Sequence, residues 1–414
     1  MKRFSFYLTL VLALLATLLL MSSCAQDAAS QGNGNQLTLY VYNWGEYISD
    51  GSEGSLDVNA AFEQYCRDEL GLNVKVNYST YSSNEDLYAK LTSGAVSYDV
   101  IIPSDYMIAR LASEGLLMEI KPNEAIDNYQ YVDERFKGLY YDPDQLYSVP
   151  YTYGTVGIIY NTAMVPADEE DLGKWSLLWD AEYTGNILQF NNPRDAFGTA
   201  QFSLGYSINS DDPDEWHDAL GKLKEQKAVV QGYVMDEVFN KLKGGSAAIA
   251  PYYAGDFFTM YADNELLNFY HPQGATNVFV DAMCIPYGSQ NYELALAYIN
   301  FMLSEEIAIE NAEYICYASP NSLVYENEDY IAYMNSEVHP NATEILYDFD
   351  MDDMEFYYDL SSETRLLMNE LWEDLKIEST IGTGIYIICA VIVVSISAWA
   401  VFVLIRKKIR SSYY

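Results

Sequence analysis

The sequence predicts an α/β fold in two units built on mixed sheets, and three observations carry that expectation. Residues 37–115 alternate strand, helix, strand, helix and strand, the pattern of parallel strands joined by right-handed crossovers. A second α/β pattern starts near residue 186. The chain has 414 residues, enough for two domains, and half of them are hydrophobic, which excludes disorder for the bulk.

The first strand, residues 37–43, runs into LYVYNWGEY at residues 39–47. Apolar and aromatic side chains alternate along it until Gly45 breaks the strand. Trp44, Glu46 and Tyr47 are then presented at its carboxyl end, where open α/β sheets bind ligands. An indole face beside a carboxylate suits an organic cation. A helix follows over 59–70, with Phe62, Tyr65 and Cys66 at helical spacing and Gly71 as its stop. Residues 73–78 alternate as a strand. Ser82 with Glu85 reads as a capping box for a helix carrying Leu87, Leu91 and Ala95. Residues 99–103 form a short apolar strand, and Ser104 caps a helix that ends by Gly115. In the second pattern, 186–190, 247–253 and 278–286 read as strands, and 236–243 and 292–303 as helices. A last helix over 363–376 leads towards an apolar run.

Both ends point to a membrane. Lys2 and Arg3 precede an apolar stretch over 8–21 and then Ser22-Ser23-Cys24, which looks like a bacterial lipoprotein leader (1–24) with Cys24 as the lipidated residue. Residues 25–36 are rich in Ala, Ser, Gln, Gly and Asn and read as a flexible tether. Residues 381–405 carry no charge, and Arg406, Lys407, Lys408 and Arg410 follow at once. This predicts a transmembrane helix, with 406–414 as a basic cytoplasmic tail and the body outside. The whole chain carries −38, and the six basic residues of leader and tail make the body more negative still. A body of that charge excludes nucleic acid and favours cations.

Catalytic patterns are missing. The three histidines, His217, His271 and His339, sit in no arrangement with a nucleophile, and no phosphate loop or metalloprotease motif occurs. Cys66, Cys284 and Cys316 show no metal spacing and read as buried thiols, with a Cys284–Cys316 bridge left open. No cofactor or metal is implied. Candidate ligand residues lie instead on loops beside the strands, at 104–106, 192–195, 252–256 and 317, and within a strand at 279–281, where an acid is unusual unless it has a partner.

Four segments in order, LYVYNWGEY, VNYSTYSSNEDLYAKL, YDVIIPSDYMIARL and YSVPYTYGTVGIIYN, resemble the bacterial spermidine/putrescine-binding proteins, the solute receptors of polyamine ABC importers. FVDAMCIP, YELALAYINFML and YASPN match as well, so the resemblance covers about residues 37–376. It implies a two-lobed, periplasmic-binding-protein-like (type II) fold with a hinge. Crossing segments would fall near 154–158, 273–279 and 325–329. Lobe 1 would be 37–154 plus 280–325, and lobe 2 would be 158–276 plus 329–378. It further implies a monomer that hands a polyamine to ABC permease subunits carried on other chains.

The same resemblance implies the site. Trp44 and Tyr47 would wall the ligand, with Glu46 at the rim. Ser104 and Tyr106 follow the third strand. Tyr253 stands where the family has Trp, and Asp256 stands where diamine-tuned members carry an acid. Asp281 would grip a terminal ammonium, Phe279 replaces a Trp two residues before it, and Tyr317 completes the wall. Triamine-tuned members have two acids where this chain has Asn192 and Asp195, so the pattern leans towards a diamine. Ser104, at a helix N-terminus, is expected to steady a site carboxylate or offer its carbonyl rather than hold the cation alone. Two other readings use the same residues: a ferric-ion receptor gripping through Tyr252-Tyr253, and a glycan-acting enzyme with a carboxylate pair.

Overall fold

The computed structural model describes residues 36–349 and 354–380. The leader with Cys24, almost all of the tether, the apolar run 381–405 and the basic tail lie outside the described residues. Among those described, no helix is long and apolar enough to cross a membrane.

The strands are β1 (Leu37–Trp44), β2 (Val74–Tyr81), β3 (Val100–Ile101), β4 (Ser148–Asn161), β5 (Ile187–Phe190), β6 (Val230–Val234), β7 (Ile249–Tyr253), β8 (Leu267–Tyr270), β9 (Thr276–Cys284) and β10 (Met354–Glu355). Their order is β2-β1-β3-β9-β4-β7-β5-β6, with β8 on β4 and β10 on β9. The expected parallel crossovers hold for β1 with β2 and β3, and for β5 with β6 and β7. β4 is antiparallel to β7, β8 and β9, and β9 is antiparallel to β3 and parallel to β10, so the sheets are mixed.

Two domains share β4. Its first part pairs with β9 from Ser148↔Cys284 to Thr155↔Val278, and its second part pairs with β7 from Val156↔Tyr253 to Tyr160↔Ile249. All fourteen residues of β4 are buried, as expected of a strand covered on both faces. The stretch 154–158 is therefore the interior of one continuous strand.

The longer helices are α1 (Val58–Asp68), α2 (Asn84–Thr92), α3 (Asp105–Ser113), α4 (Pro193–Leu204), α5 (Pro213–Gln226), α6 (Glu237–Lys243), α7 (Ala254–Asp263), α8 (Tyr292–Met302), α9 (Glu305–Ile315) and α10 (Ser362–Thr380). The capping box expected from Ser82 is displaced by one residue. Ser83 has the extended backbone of an N-cap, and its hydroxyl accepts from the Asp86 amide, while Ser82 donates to the Asp86 carboxylate. Ser104 stands at the N-cap of α3, but its hydroxyl makes no capping bond. Cys66, Cys284 and Cys316 are buried free thiols, so no bridge joins the last two.

The core lies in two clusters. One packs Leu39, Val41, Phe62, Val100 and Tyr298 between β1–β3, α1 and α8, with Phe62 edge-on to Tyr298 at 5.0 Å. The other gathers Phe190, Phe197, Trp216, Ile249 and Phe257 around β5 and β7. Each such side chain contributes about 1.5–3 kcal/mol by leaving water. The last helix, α10, is docked onto the second cluster. Trp372 packs edge-on to Tyr233 at 5.9 Å, Asp374 pairs with Lys224 at 2.9 Å, and Lys227 donates to the Leu375 carbonyl.

Candidate functional site

A cleft opens where the carboxyl end of β1, the N-terminal turns of α3, α4 and α7, and the middle of β9 meet. It holds about 840 Å³ of empty space including its mouth, and all eleven side chains singled out in the sequence line it.

The β1 exit is built by Asn43. Its Oδ1 accepts from the Trp44 amide at 2.8 Å, and its Nδ2 donates to the Tyr47 carbonyl at 3.3 Å. Glu46 adopts a left-handed backbone with φ of 50°, a conformation that costs a non-glycine residue about 1–2 kcal/mol. This reversal leaves Glu46 exposed at the rim and turns Tyr47 inward, 4% exposed. The Tyr47 hydroxyl donates to Asp281 Oδ2 at 2.7 Å and also contacts Thr152 Oγ1. Trp44 packs at 4.6 Å on Tyr81, and its indole N–H is buried without a partner among the described residues.

Asp281 faces the cleft from β9, 3% exposed. Only one of its oxygens is engaged by Tyr47, and Oδ1 has no hydrogen-bond partner among the described residues. Burial pushes its carboxyl up to about 6, against the pull of the nearby Ser104 and Tyr47 hydroxyls. Ser104 thus lies beside the Asp281 carboxylate.

Asp256 sits in the first turn of α7, 8% exposed. Burial pushes it to about 8, the Tyr317 hydroxyl opposes, and Asp236 and Glu46 add repulsion. Its neighbour Gly255 is required by contact, since a Cβ there would meet the Tyr317 ring at 2.4 Å. Tyr317 is aimed by Cys316, whose left-handed backbone (φ 57°) ends α9. Tyr317 stands edge-on to Tyr47 at 4.6 Å. Phe279 meets Tyr253 at 5.5 Å, and it fits because Gly154 leaves room where a Cβ would come within 2.7 Å. Tyr47, Tyr317, Phe279 and Tyr253 make an apolar, polarisable wall.

Asp195, at the start of α4, differs. Its Oδ2 accepts from the Tyr253 hydroxyl at 2.5 Å and from Asn192 Nδ2 at 2.6 Å, while Asn192 Oδ1 caps the Asp195 amide. Burial raises its carboxyl, with Asn192, Tyr253 and Tyr357 opposing. Tyr106, half-buried, donates to Glu85 Oε1 at 3.2 Å.

The structure brings in residues to which the sequence reading gave no role of their own, two of them, Asp105 and Arg194, within its candidate loops. Asp105 is fully buried beside Ser104 and accepts from the Val280 amide at 3.2 Å, and burial raises it to about 8. Arg194 and Glu85 lay inside quoted segments but were unassigned or read as a cap. Asp236, exposed, comes close to Gly45 at the mouth. Tyr357 arrives from a distant segment that carries no motif, and no signal in the sequence marks it.

The chain matches the model of bacterial extracellular solute-binding proteins over residues 60–337. It is 33% identical to the spermidine/putrescine-binding periplasmic protein of Salmonella typhimurium over 285 residues, 69% of this chain and 78% of that one. It is 28% identical to the putrescine/cadaverine-binding protein of Pseudomonas aeruginosa, over 88% of this chain and 99% of that one. Among solved structures it resembles the spermidine/putrescine ABC transporter substrate-binding protein PotD of Streptococcus pneumoniae, with a TM-score of 0.64 and 31% identity, covering 82% of this chain and 99% of that one. With this fold, this cleft and these matches, the chain belongs to the bacterial extracellular solute-binding protein family, whose members bind solutes and are not enzymes.

Proposed function

We propose that the protein is an extracytoplasmic polyamine receptor that closes two lobes over its cargo and delivers it to an ABC importer. The observation that carries this is the meeting, in one cleft, of an aromatic wall with two buried carboxylates, Asp256 and Asp281, the second with an oxygen that has no partner among the described residues. A diamine is a short apolar rod with a cation at each end. The rings would take its methylenes. Each carboxylate would supply a charge-assisted bond worth about 1.5–3 kcal/mol, and a ring face over a desolvated ammonium adds up to about 2 kcal/mol. Removing all these groups from water opposes that gain, so closure favours cargo that satisfies both ends.

The lobes would be 37–154 with 280–325, and 158–276 with 329–378. The shared strand β4 and its partner β9 would carry the bend between them. The ligand residues would be the eleven named above, with Asp195 in a supporting role. The preference would be for a diamine, because Asn192 is neutral and Asp195 Oδ2 is already bonded within the protein. The receptor would act as a monomer, held to the outer face of the membrane by 381–405 and by lipid on Cys24.

Titration calorimetry of the full-length protein in detergent, with putrescine, cadaverine, spermidine and ferric ion, tests the function. Saturable binding of the diamines is expected. Binding of ferric ion with no response to any amine would overturn the assignment in favour of a metal receptor.

A further inference from the structure

One cation lies among the carboxylates that line the cleft. Arg194, on α4, is 3% exposed and is the single basic residue of the lining among the described residues. Its Nη2 is held within its own half by the Asn209 side-chain oxygen at 3.0 Å and the Tyr358 carbonyl at 2.9 Å. The Tyr357 ring stacks on the guanidinium at 4.4 Å, and the Tyr357 hydroxyl donates back to the Arg194 carbonyl at 3.1 Å. From the opposite side the Tyr106 ring faces it at 5.6 Å. Tyr106 is bonded to Glu85, whose carboxylate lies within the field of Arg194. Nε and Nη1 are buried and make no hydrogen bond among the described residues.

A buried guanidinium with two idle donors is expensive unless nearby charge and ring faces compensate it. Tyr357 and Asp195 both belong to the same proposed half as Arg194 (158–276 with 329–378) and would travel with it. Tyr106 and Glu85 sit on α3 and α2, across the cleft. Opening the cleft would therefore leave Arg194 its own-half bonds and take away Tyr106 and Glu85. We propose that Arg194 is a resident cation that latches the two halves together at the Glu85–Tyr106 end, as a positioning residue for closure rather than a ligand contact. This rests on the two-lobed receptor reading given above. At that end the protein supplies its own positive charge, and the cargo need supply charge only at Asp256 and Asp281.

The test reads closure directly in the full-length protein, by single-molecule energy transfer between fluorophores at the exposed positions of Lys90 and His217, with and without putrescine. Arg194→Gln is expected to lower the closed fraction of the empty protein about threefold and to speed putrescine release about tenfold, an energy scale set by one cation–ring contact and one half-screened charge pair. Arg194→Lys should recover part of both, since it keeps the charge and loses the planar face. Glu85→Gln should act in the same direction, and the double variant should be no worse than Arg194→Gln alone, because both remove one interaction. An unchanged closed fraction in Arg194→Gln, or strictly additive effects, would overturn the latch. Should Arg194→Gln fail to fold, Glu85→Gln and Tyr106→Leu probe the same contact from the other half, and an unchanged closed fraction in both overturns it equally. If the wild-type protein binds no amine, the polyamine reading falls, while energy transfer in the empty protein still decides the latch.

Discussion

Asp281 and Asp195 are both buried acids on the wall of one cleft, yet they are not equivalent. Asp281 projects from the middle of a strand and shares one oxygen with Tyr47, while the other has no partner among the described residues. Asp195 opens a helix, and its Oδ2 is occupied by Tyr253 and Asn192. The difference shows that a carboxylate counts towards a cationic ligand only to the extent that the protein has not already satisfied it. A tally of acids in a motif overstates the charge on offer, and the neutral Asn192 acts twice, once by lacking charge and once by consuming its neighbour's.

The comparison can be broken at several points. Asp281→Ala should give the largest effect, because the ammonium it meets would be left buried and unpaired. A loss of about 100-fold or more in putrescine affinity is expected by calorimetry, and unchanged binding would remove Asp281 from the site. Asp256→Ser should come next, weakening putrescine by about tenfold and spermidine by less; the opposite order would cancel the diamine preference. Asn192→Asp adds a charge and removes the donor that occupies Asp195. It should raise spermidine affinity by about five- to tenfold relative to putrescine, and no change in that ratio would mean that Asp195 is not kept from the ligand by its partners.

The smallest effect is on the empty protein and concerns pH. The folded-state carboxyls of Asp281 (about 6), Asp105 and Asp256 (about 8) lie above the ordinary aspartate range because burial disfavours their charged forms. Between the unfolded value near 4 and those folded values, the native state holds more protons than the unfolded one, so stability falls as pH rises across that window. The melting temperature of the unliganded protein should drop from pH 4 to pH 8, and putrescine should restore it most at the alkaline end. A flat profile would mean that these carboxyls are solvated.

Much of the cleft was legible because its residues come in short local patterns. The strand, glycine and aromatic run of NWGEY, the acid after Gly255 and the acid inside β9 each announce a buried polar group that needs a reason. The helices and strands expected from periodicity fall within a few residues of those observed, whereas β6, β8, α4, α5, α7 and α9 had no such expectation. What escaped depends on distance. Tyr357 reaches the cleft only because β10 pairs with β9, some 80 positions earlier in the chain, and no local pattern records that pairing. Arg194 sat in plain view between two residues of interest, but its stacking on Tyr357 and Tyr106 is a product of tertiary packing. The choice of Ser83 over Ser82 as cap turned on backbone angles that two adjacent serines do not reveal.

The docking of α10 onto the second core cluster has a mechanical consequence. Trp372, Asp374 and Leu375 tie this helix to α5 and β6 shortly before the proposed membrane span begins at 381. With that span in the membrane, the half of the molecule built around β5 and β7 would be the stator, held close to the bilayer. The half carrying NWGEY, tied to lipid only through the flexible 25–36 tether, would be the jaw with more freedom to swing, so the opening stroke would be made relative to the lipid surface by the Trp44 side of the mouth.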